Sequence, residues 1–308
     1  MLLETKVQEI NQLKERVQSL PPEAAEIQSL KEKIAQLEDQ VRQHSSAWDH
    51  VQLSRHPERP YTLDYIARMF TRFRQIQGDR KYADDAAIVG GMALLDGQPV
   101  MVLGHQKGRN TKERIFRNYG MPKPEGYRKA IRLMRLAEKF SRPIFTFIDT
   151  PGAYPGIGAE KRGQAQAIAS NLKAMARIQV PIIVTVLGEG GSGGALAIGV
   201  GDWVAMLEHS IYSVISPESC SAILWKDQDH ARQAAENLKL TAENLYRFGI
   251  IDEIVPEPAG GAQNNYDQTA QTLKESLLRS LEKFRNLTPP QLQEARFARF
   301  RRMGTFIG

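Results

Sequence analysis

Residues 188–199 have the sequence Gly-Glu-Gly-Gly-Ser-Gly-Gly-Ala-Leu-Ala-Ile-Gly, and they decide how this chain folds. They follow an apolar, β-branched run at residues 181–187 that is typical of a buried strand. The small apolar residues after the glycines predict the first turns of a buried helix. A strand, a glycine turn and a helix in this order leave N–H groups unpaired at a helix N-terminus, where an anion can bind. Because glycine lets the backbone approach a ligand closely, we expect the main chain to carry the chemistry.

Three kinds of site could be built on these glycines. A Walker-type phosphate loop is disfavoured, because that motif ends in Gly-Lys-Ser/Thr and no lysine follows here. Residues 190–194 fit G-x-S-x-G, so Ser192 is a candidate nucleophile, although its triad would need a histidine such as His209 or His230. The third kind is an oxyanion hole, in which the N–H groups of Gly193 and Gly194 stabilise an oxygen that gains charge. A turn that only packs a helix against a sheet is also compatible with the glycines.

The composition of the 308 residues limits the classes of protein that remain. Hydrophobic residues make up 42%, enough for a large core, and the net charge of +6 fits an acidic partner or a solvated surface equally well. The single cysteine, Cys220, excludes an intrachain disulfide and a zinc site of several thiolates. Because there is no long apolar run and the N-terminus is charged rather than signal-like, we expect a cytoplasmic protein without a membrane span.

Helical periodicity predicts appendages at both ends of the chain. Apolar residues recur every three or four positions on both sides of Pro21-Pro22, which predicts a helical hairpin over residues 1–50. Its apolar stripes could pack on each other, on the main domain or on another subunit. The core is expected over residues 51–262 and C-terminal helices over residues 263–308, with Thr288 capping the last helix. A solvated or interface face is expected for the arginines of that helix: Arg296, Arg299, Arg301 and Arg302.

Shorter patterns predict the elements of the core. Asp96-Gly97 between two apolar runs is a strong hairpin signal. Helical spacing extends over residues 61–77, and single helices are predicted over about 159–178 and 231–245. The basic loop at residues 107–114 could bind an anionic partner or be simply solvated. Without interleaved aromatic residues it does not indicate nucleic-acid binding.

A second glycine loop follows another predicted strand. The apolar run at residues 143–148 leads into Asp149 and the rigid turn at Pro151-Gly152, and a helix follows. Parallel strands that alternate with helices bring such loops to one edge of a sheet, where α/β proteins bind ligands. Two glycine loops that converge at this edge indicate an active site more strongly than either loop alone.

Several motifs in one order resemble the α subunit of bacterial-type acetyl-CoA carboxylase carboxyltransferase. The two glycine loops at residues 149–156 and 188–199 belong to this likeness. The other matching motifs, which are spread over nearly the whole chain, lie at residues 56–65, 104–109, 120–130, 213–218, 223–226 and 256–258. One departure is Ser219, where the family pattern leads us to expect glycine.

This resemblance implies a fold, a reaction and partners. The fold would be α/β and crotonase-like (ClpP/crotonase-like), a spiral of ββα units between the N-terminal hairpin and the C-terminal helices. Carboxybiotin would be delivered by a biotin carboxyl carrier protein, within an ATP-dependent complex that also contains biotin carboxylase. A zinc-ribbon carboxyltransferase β subunit would bind the coenzyme A thioester in an α2β2 assembly, so this chain would hold no metal. The product of carboxyl transfer to acetyl-CoA would be malonyl-CoA, in the first step of fatty acid synthesis.

The resemblance also implies roles for single residues. The N–H groups of Gly193 and Gly194 would stabilise the ureido oxygen of biotin as carboxybiotin releases carbon dioxide. Gly152 and Ala153 would line the biotin side of the site. Contacts with substrate or with the partner subunit are expected of three further residues, unless they serve only turn geometry, packing or surface charge: Thr150, Tyr154 and Arg162.

Two acidic residues lie inside the glycine loops, and rival functions remain open. Asp149 could simply cap the following helix. Glu189 is expected to point away from the oxyanion and to anchor its loop, because a carboxylate pointing inward would repel an oxyanion. The rivals are a serine hydrolase or peptidase of the related spiral fold that uses Ser192, a non-catalytic scaffold, and a different biotin-dependent acyl-CoA carboxylase or decarboxylase subunit.

Overall fold

The computed structural model describes residues 2–21 and 26–304, and eight strands within them form one mixed sheet. The strands are β1 (Thr71–Gln75), β2 (Ile88–Leu95), β3 (Gln98–His105), β4 (Ile144–Thr150), β5 (Ile182–Gly191), β6 (Trp203–Leu207), β7 (Ile211–Ser213) and β8 (Glu253–Val255). Their order across the sheet is β1-β2-β3-β4-β5-β6-β8, and β7 pairs with the end of β5. β1, β2 and β3 are antiparallel neighbours, whereas the later pairings are parallel.

Helices cover the sheet and extend from it. They are α1 (Leu2–Ser19), α2 (Glu26–His44), α3 (Ala47–Ser54), α4 (Thr62–Met69), α5 (Thr111–Phe116), α6 (Pro124–Lys139), α7 (Ile157–Lys161), α8 (Gln164–Met175), α9 (Ser192–Leu196), α10 (Pro217–Leu224), α11 (Ala231–Leu238), α12 (Ala242–Arg247), α13 (Tyr266–Glu282) and α14 (Pro289–Arg301). As predicted, Thr288 caps the last helix, in a capping box with Gln291. Over the described ranges, no helix combines the length and the apolarity that a membrane span requires.

Both faces of the sheet are buried, because its side chains alternate between two hydrophobic layers. On β4, Ile144 and Ile148 belong to the layer that contains residues of α6 and α8. Phe145 and Phe147 belong to the opposite layer, which contains residues of α4 and α13. A parallel strand that is covered on both faces is apolar at nearly every position, which explains the continuous apolar run before the glycine stretch.

The predicted hairpin at Asp96-Gly97 is confirmed, and it starts the path that builds the site. Leu95 pairs with Gln98, and the two turn residues have φ values of 46° and 81°. Positive φ at both positions is what a two-residue turn between twisted strands requires. Beyond this hairpin, β3, β4 and β5 are parallel neighbours. Their C-terminal ends therefore lie at one edge of the sheet.

The helix predicted over residues 61–77 is correct only as far as Met69. Residues Thr71–Gln75 instead form β1, an edge strand paired with β2. Arg72 within it has a φ of 52°, and the register shifts between Thr71 and Arg74. Because such an irregular edge strand has no clear two-residue periodicity, its polar sequence resembles a continuation of the preceding helix.

Two other predicted helices are each divided in two. The helix expected over residues 159–178 is interrupted at Gly163, where φ is 81°, between α7 and α8. The helix expected over residues 231–245 ends at Lys239, where φ is 51°, and α12 follows. In both cases the apolar spacing continues across the break, so periodicity alone does not show a left-handed residue.

The two N-terminal helices pack on each other through their apolar stripes. Ile10 of α1 and Ile34 of α2 are buried in one small cluster, which Ala259 of the main domain also joins. Val7 reaches the same loop, since a Cβ on Gly260 would lie 2.5 Å from its Cγ1. The hairpin thus contacts both itself and the main domain. Pro22, in the predicted proline turn, lies outside the described residues.

Two arginines of α14 are buried rather than solvated, contrary to the expectation from sequence. Arg296 is 1% exposed and donates to both carboxylate oxygens of Asp202, at 2.8 and 2.7 Å. Arg299 pairs with Asp252 at 2.8 Å. These ion pairs fasten α14 to the loops that precede β6 and β8. The sequence alone does not distinguish an arginine with a buried partner from a solvated one.

A pair of histidines joins α3 to the main domain. Nδ1 of His50 lies 3.4 Å from Nδ1 of His209. Burial, reinforced by His209, lowers the pKa of His50 to about 4, although Glu208, Glu257 and Asp49 oppose the shift. A histidine whose pKa is lower in the folded state stabilises the fold above its ordinary pKa of 6.5, and this contribution is lost as the pH falls.

We therefore expect acid to weaken the fold through His50. Between pH 7 and pH 5 the unfolded chain gains a proton at this position while the folded chain does not, which lowers the free energy of unfolding by about 2 kcal/mol. Urea denaturation at the two pH values measures this change. His50→Gln removes the titrating group, so its free energy of unfolding should vary less with pH by that amount. An equal pH dependence in both proteins would contradict the assignment to His50.

Candidate active site

The two glycine loops meet at the C-terminal edge of the sheet. A Cβ on Gly191 would lie 2.2 Å from the carbonyl oxygen of Pro151. A Cβ on Gly194 would lie 2.5 Å from the carbonyl carbon of Gly152 and 2.7 Å from the nitrogen of Ala153. These separations are shorter than any real side chain allows, so glycine is required wherever the two backbones touch. The predicted convergence of the loops is confirmed.

The transition from strand to helix is more abrupt than the sequence suggested. β5 continues through the first glycines to Gly191, and α9 is only five residues long. Ser192 makes the turn with a φ of 52°, which is uncommon for a residue with a side chain. Gly193 and Gly194 then lie in the first turn of α9, where N–H groups have no partner inside the helix.

The space beside Gly193 is open, unlike that beside Gly194. A Cβ on Gly193 would meet Cδ1 of Ile168 at 3.6 Å, an ordinary van der Waals distance. Packing within the chain therefore does not require glycine at this position. A ligand that approaches the backbone here would require it, because any side chain would occupy part of the same space.

Thr150 is fully buried and shapes the loop from inside. Its hydroxyl donates to the carbonyl oxygen of Gly152 at 2.8 Å and accepts the N–H of the same residue at 3.1 Å. Gly152 itself has a φ of 152°. The structure thus gives Thr150 a role in turn geometry, whereas the backbones of Gly152 and Ala153 lie beside Gly194.

Tyr154 and Arg162 lie on the outer side of the same loop. The N–H of Tyr154 donates to the carbonyl oxygen of Pro122 at 3.0 Å, and Nζ of Lys123 lies 5.0 Å from the centre of its ring. Arg162 pairs with Glu125, and its guanidinium lies 4.9 Å from the ring centre of Tyr82. Both residues therefore connect the loop to the segment that begins α6, rather than joining the glycine contact itself.

A network of buried and partly buried charged side chains fixes the ends of β3, β4 and β5. Nζ of Lys107 lies 2.8 Å from Asp149 and 2.9 Å from Glu189. The Asp149 carboxylate also accepts the N–H of Glu189 at 3.0 Å, so it bridges the two glycine loops directly. Arg55 extends the network, pairing with Glu189 at 2.6 Å and with Glu218 at 2.5 Å. Glu189 thus anchors its loop through two cations, as predicted. Asp149 does not cap the following helix, whose N-cap is Gly156, and joins the two loops instead.

The opposite charges keep these side chains ionised despite their burial. Burial disfavours the charged form of Lys107, but Asp149 and Glu189 outweigh that effect and raise the pKa of its ammonium. Burial likewise disfavours the Glu189 carboxylate, but Lys107 and Arg55 outweigh it and lower the pKa of the carboxyl. These cations and carboxylates therefore pair with one another beside the glycine loops, and they hold the loops without presenting an unpaired carboxylate to an oxyanion.

Behind the loops lies His105, which the sequence motifs included but did not single out. It ends β3, is fully buried, and accepts the N–H of Asp149 on Nδ1 at 3.4 Å. Burial lowers the pKa of His105 to about 3, against the opposing effect of the Gly194 backbone. A neutral imidazole therefore adds no charge to the site near neutral pH.

Arg59 is the second residue that sequence reasoning left without a role. It is 1% exposed, and its Nε donates to the carbonyl oxygen of Leu187 at 2.7 Å, one residue before the glycine stretch. Its other nitrogens bind both carboxylate oxygens of Glu257, at 2.8 and 2.5 Å. Glu257 in turn accepts the N–H groups of His209 and Ala262. The buried pair of Arg59 and Glu257 fixes β5 just before the glycine stretch. The only sign of it in the sequence is a charged residue between two prolines.

The described residues do not assemble a catalytic triad around Ser192. Of the two histidines that follow it in the chain, His209 lies against His50 and His230 against Trp225. Nor do three or more metal-ligating side chains gather anywhere in the described ranges. What the geometry offers instead is two backbones in contact, main-chain N–H groups at the start of α9, and neutralised charges behind them. Such a site suits the stabilisation of a developing oxyanion.

Comparison with known proteins gives a consistent picture. A family model described as acetyl co-enzyme A carboxylase carboxyltransferase-like matches residues 1–304. The acetyl-coenzyme A carboxylase carboxyl transferase subunit alpha of Thioalkalivibrio sulfidiphilus is 56% identical over 305 residues, which are 99% of this chain and 95% of that protein.

Two solved structures share the fold at low sequence identity. The β subunit of Pseudomonas aeruginosa geranyl-CoA carboxylase superposes with a TM-score of 0.58 at 16% identity. The match covers 85% of this chain and 48% of the β subunit. The MdcD–MdcE hetero-dimer of Pseudomonas malonate decarboxylase contains a chain that superposes with a TM-score of 0.56 at 20% identity, covering 71% of this chain and 90% of its own. At such identities the likeness concerns the fold alone.

Proposed function

This chain belongs to the acetyl co-enzyme A carboxylase carboxyltransferase-like family, and from that premise we propose how its residues take part in the reaction. The chain is a carboxyltransferase component of a multisubunit, biotin-dependent acetyl-CoA carboxylase. Its fold is the crotonase-like α/β fold that the motifs implied. The family's role in fatty acid synthesis follows from this identity.

The contact between the two glycine loops carries the proposal for the mechanism. Carboxybiotin would supply the carboxyl group, and the N–H groups of Gly193 and Gly194 would donate to the ureido oxygen, which gains charge as the bond from the ureido nitrogen to the carboxyl carbon breaks. The carboxyl group would pass to the methyl carbon of acetyl-CoA, and biotin would take the proton that this carbon loses. Gly152 and Ala153 hold these donors in place from the opposite side. Each oxyanion donor typically lowers a barrier by about 3 kcal/mol, so two of them supply a substantial part of the catalysis.

The open space beside Gly193 supports this assignment. A Cβ there would have an ordinary contact with Ile168, so the absence of a side chain leaves room for a flat ring to reach the backbone. Lys107 pairs with Asp149 and Glu189, and Arg55 also pairs with Glu189, so neither carboxylate competes with the oxyanion as an unpaired charge. The site therefore suits an oxygen that becomes negative only during the reaction.

The remaining half of the reaction requires other chains. We assign the acyl-CoA site to a zinc-ribbon β subunit in an α2β2 assembly, and the delivery of biotin to a carrier protein charged by biotin carboxylase in the cytoplasm. We assign contacts with substrate or with one of these partners to Tyr154 and Arg162, on the outer side of the loop that follows β4. Within this assembly we divide the chain into the hairpin at residues 1–50, the core at 51–262 and the C-terminal helices at 263–308.

The reverse reaction tests the shared site. Malonyl-CoA and a free biotin derivative are supplied, and release of acetyl-CoA is followed with this chain alone and after a β subunit is added. Activity only in the mixture, abolished by Gly193→Val, is the expected result. Activity from this chain alone would contradict the division of the site between two subunits. No activity in either case would contradict the proposed mechanism.

Replacing Ser192 separates an oxyanion hole from a nucleophile. Because no histidine pairs with its hydroxyl among the described residues, we expect Ser192→Ala to retain carboxyl transfer within about threefold, whereas a lost nucleophile typically costs many orders of magnitude. Steady-state kinetics of the mixture measure this. A loss of a thousandfold or more, with the folded structure intact by circular dichroism, would show that the Ser192 hydroxyl takes part in the reaction and would contradict a site built on main-chain donors alone.

A further inference from the structure

The helix α5 presents a row of side chains to solvent beside the site. None of its residues is buried. Lys112, Ile115 and Phe116 are spaced so that they share one side of the helix, and Tyr119 lies three residues beyond its end. Ile115 is 61% exposed, Phe116 67% and Tyr119 50%. We call these four residues the α5 face. Large apolar side chains grouped and exposed in this way mark a surface that another molecule covers.

The surroundings of the α5 face contain more cations than carboxylates. Glu113, the only acidic residue of α5, is turned back to accept the N–H of Arg109 at 2.9 Å, within the helix cap. Arg114 and Arg117 donate instead to the carbonyl oxygens of Gly108 and Ala86, and no ion pair involves either arginine among the described residues. Burial lowers the pKa of Arg117 despite the opposing effect of Glu113. Cations in this situation attract an acidic partner.

The backbone that supports this face is strained. Asn118, Tyr119 and Gly120 have φ values of 48°, 56° and 78°, so three consecutive residues are left-handed. For a bulky tyrosine this conformation is unfavourable, and it persists only where the surroundings enforce it. Asn118 is held by a hydrogen bond of 3.1 Å to Asp85. The fold thus maintains a costly conformation at the point where an exposed aromatic ring leaves the chain.

The α5 face adjoins the glycine loops. A Cβ on Gly120 would lie 3.4 Å from the carbonyl oxygen of Asp149, which is three residues from Gly152. Two residues further, the carbonyl oxygen of Pro122 accepts the N–H of Tyr154. The segment that follows the α5 face therefore contacts the glycine loops, so a molecule that covers this face lies near the proposed biotin site.

We propose that the α5 face docks the biotin carrier protein through an acidic surface with an apolar centre; this rests on the proposed function. A carrier must bind, deliver and leave, and a small surface of mixed charge and apolar character suits such a transient contact. A permanent subunit interface is larger and more apolar. The uncharged, strongly exposed residues Val214, Ile223 and Leu224 fit that description better, at 81%, 63% and 64% exposure.

Two biotin substrates distinguish docking from chemistry. Wild type, Phe116→Ala and Lys112→Glu are assayed in the assembled carboxyltransferase with the carboxylated carrier protein and with a free carboxybiotin derivative. Losing an anchor at the centre of an interface typically weakens binding about thirtyfold, so kcat/KM for the carrier should fall by this factor, chiefly through KM. Turnover of the free derivative should stay within about twofold. Lys112→Glu should also flatten the dependence of the carrier reaction on salt.

Lys139→Glu is the matched control. Lys139 is exposed at the last turn of α6, about 24 Å along that helix from the end near the site, so this charge reversal should leave both substrates unaffected. Equal losses for both substrates, or no loss for the carrier, would overturn the docking proposal. Loss of the β subunit from the assembly in the α5 variants would assign the face to that subunit instead and would also overturn it.

A direct binding measurement keeps this proposal separate from the proposed function. If the wild type turned over neither substrate, the mechanism would be wrong, and docking would still be measurable as binding of the biotinylated carrier by fluorescence anisotropy. Weaker binding to Phe116→Ala, but not to Lys139→Glu, supports the α5 face in that case. Equal binding to all variants overturns it.

Discussion

Gly194→Ala is expected to abolish carboxyl transfer. Its methyl carbon would lie 2.5 Å from the backbone of Gly152, so the two loops would have to separate. Because the Gly194 N–H is one of the proposed donors to the oxyanion, the displacement should reduce kcat at least a hundredfold, the typical effect of losing one such donor. The reverse reaction with malonyl-CoA and free biotin in the assembled enzyme measures this.

Gly193→Ala provides the comparison within the same turn. Its added methyl group would meet Ile168 at 3.6 Å, so the free energy of unfolding should stay close to that of the wild type. Gly194→Ala, by contrast, should lower the free energy of unfolding by about 1–3 kcal/mol through overpacking. Both variants should lose activity. In Gly194→Ala the proposed donor is displaced, and in Gly193→Ala the added methyl group enters the space assigned to biotin. Activity of Gly194→Ala within threefold of the wild type would show that contact between the loops is dispensable.

Arg59→Met is expected to destabilise the fold more than any other single change considered above. It leaves the Glu257 carboxylate, which is 0% exposed, without its cation. Removal of one partner from a buried ion pair typically costs about 3–5 kcal/mol, because the remaining charge keeps its desolvation penalty. Urea denaturation at pH 7 measures this loss. Since Arg59 also holds the carbonyl of Leu187, activity should fall in parallel.

A second variant shows whether the stranded charge is the cause. Adding Glu257→Gln to Arg59→Met removes that charge, so the double variant should be more stable than Arg59→Met alone. Arg279→Met removes a cation from a pair with Glu253 in which the arginine is 59% exposed, and it should have little effect because water already screens that pair. If the double variant were no more stable than Arg59→Met, the lost packing of the arginine stem would account for the effect.

The sequence predicted those features of the fold that depend on local pattern. The hairpin at Asp96-Gly97, the buried strands before each glycine loop and the cap at Thr288 follow from turn chemistry and periodicity. The breaks at Gly163 and Lys239 did not, because a left-handed residue interrupts a helix without changing its apolar spacing.

The backbone part of the site could be predicted, but the charges that support it could not. Gly194 marks the place where the two backbones meet, Gly193 is the neighbouring proposed donor, and this pattern of glycines is visible in the sequence alone. The partners of Lys107 are 42 and 82 residues away in the sequence, at Asp149 and Glu189. The same reason explains why the sequence suggests a solvated or interface face for Arg296, since its partner Asp202 lies 94 residues away. Long-range pairing between charges leaves no periodic signal.

The proposed use of main-chain donors has a consequence for inhibition. A compound that binds the N–H groups of Gly193 and Gly194 contacts atoms that every amino acid except proline supplies, so replacement of a side chain cannot delete the contact. Resistance would have to arise by changing the shape of the cavity, and the open space beside Gly193 is bordered by Ile168. Bulkier residues at 168 are therefore the first resistant variants to look for in a selection with a biotin-site inhibitor.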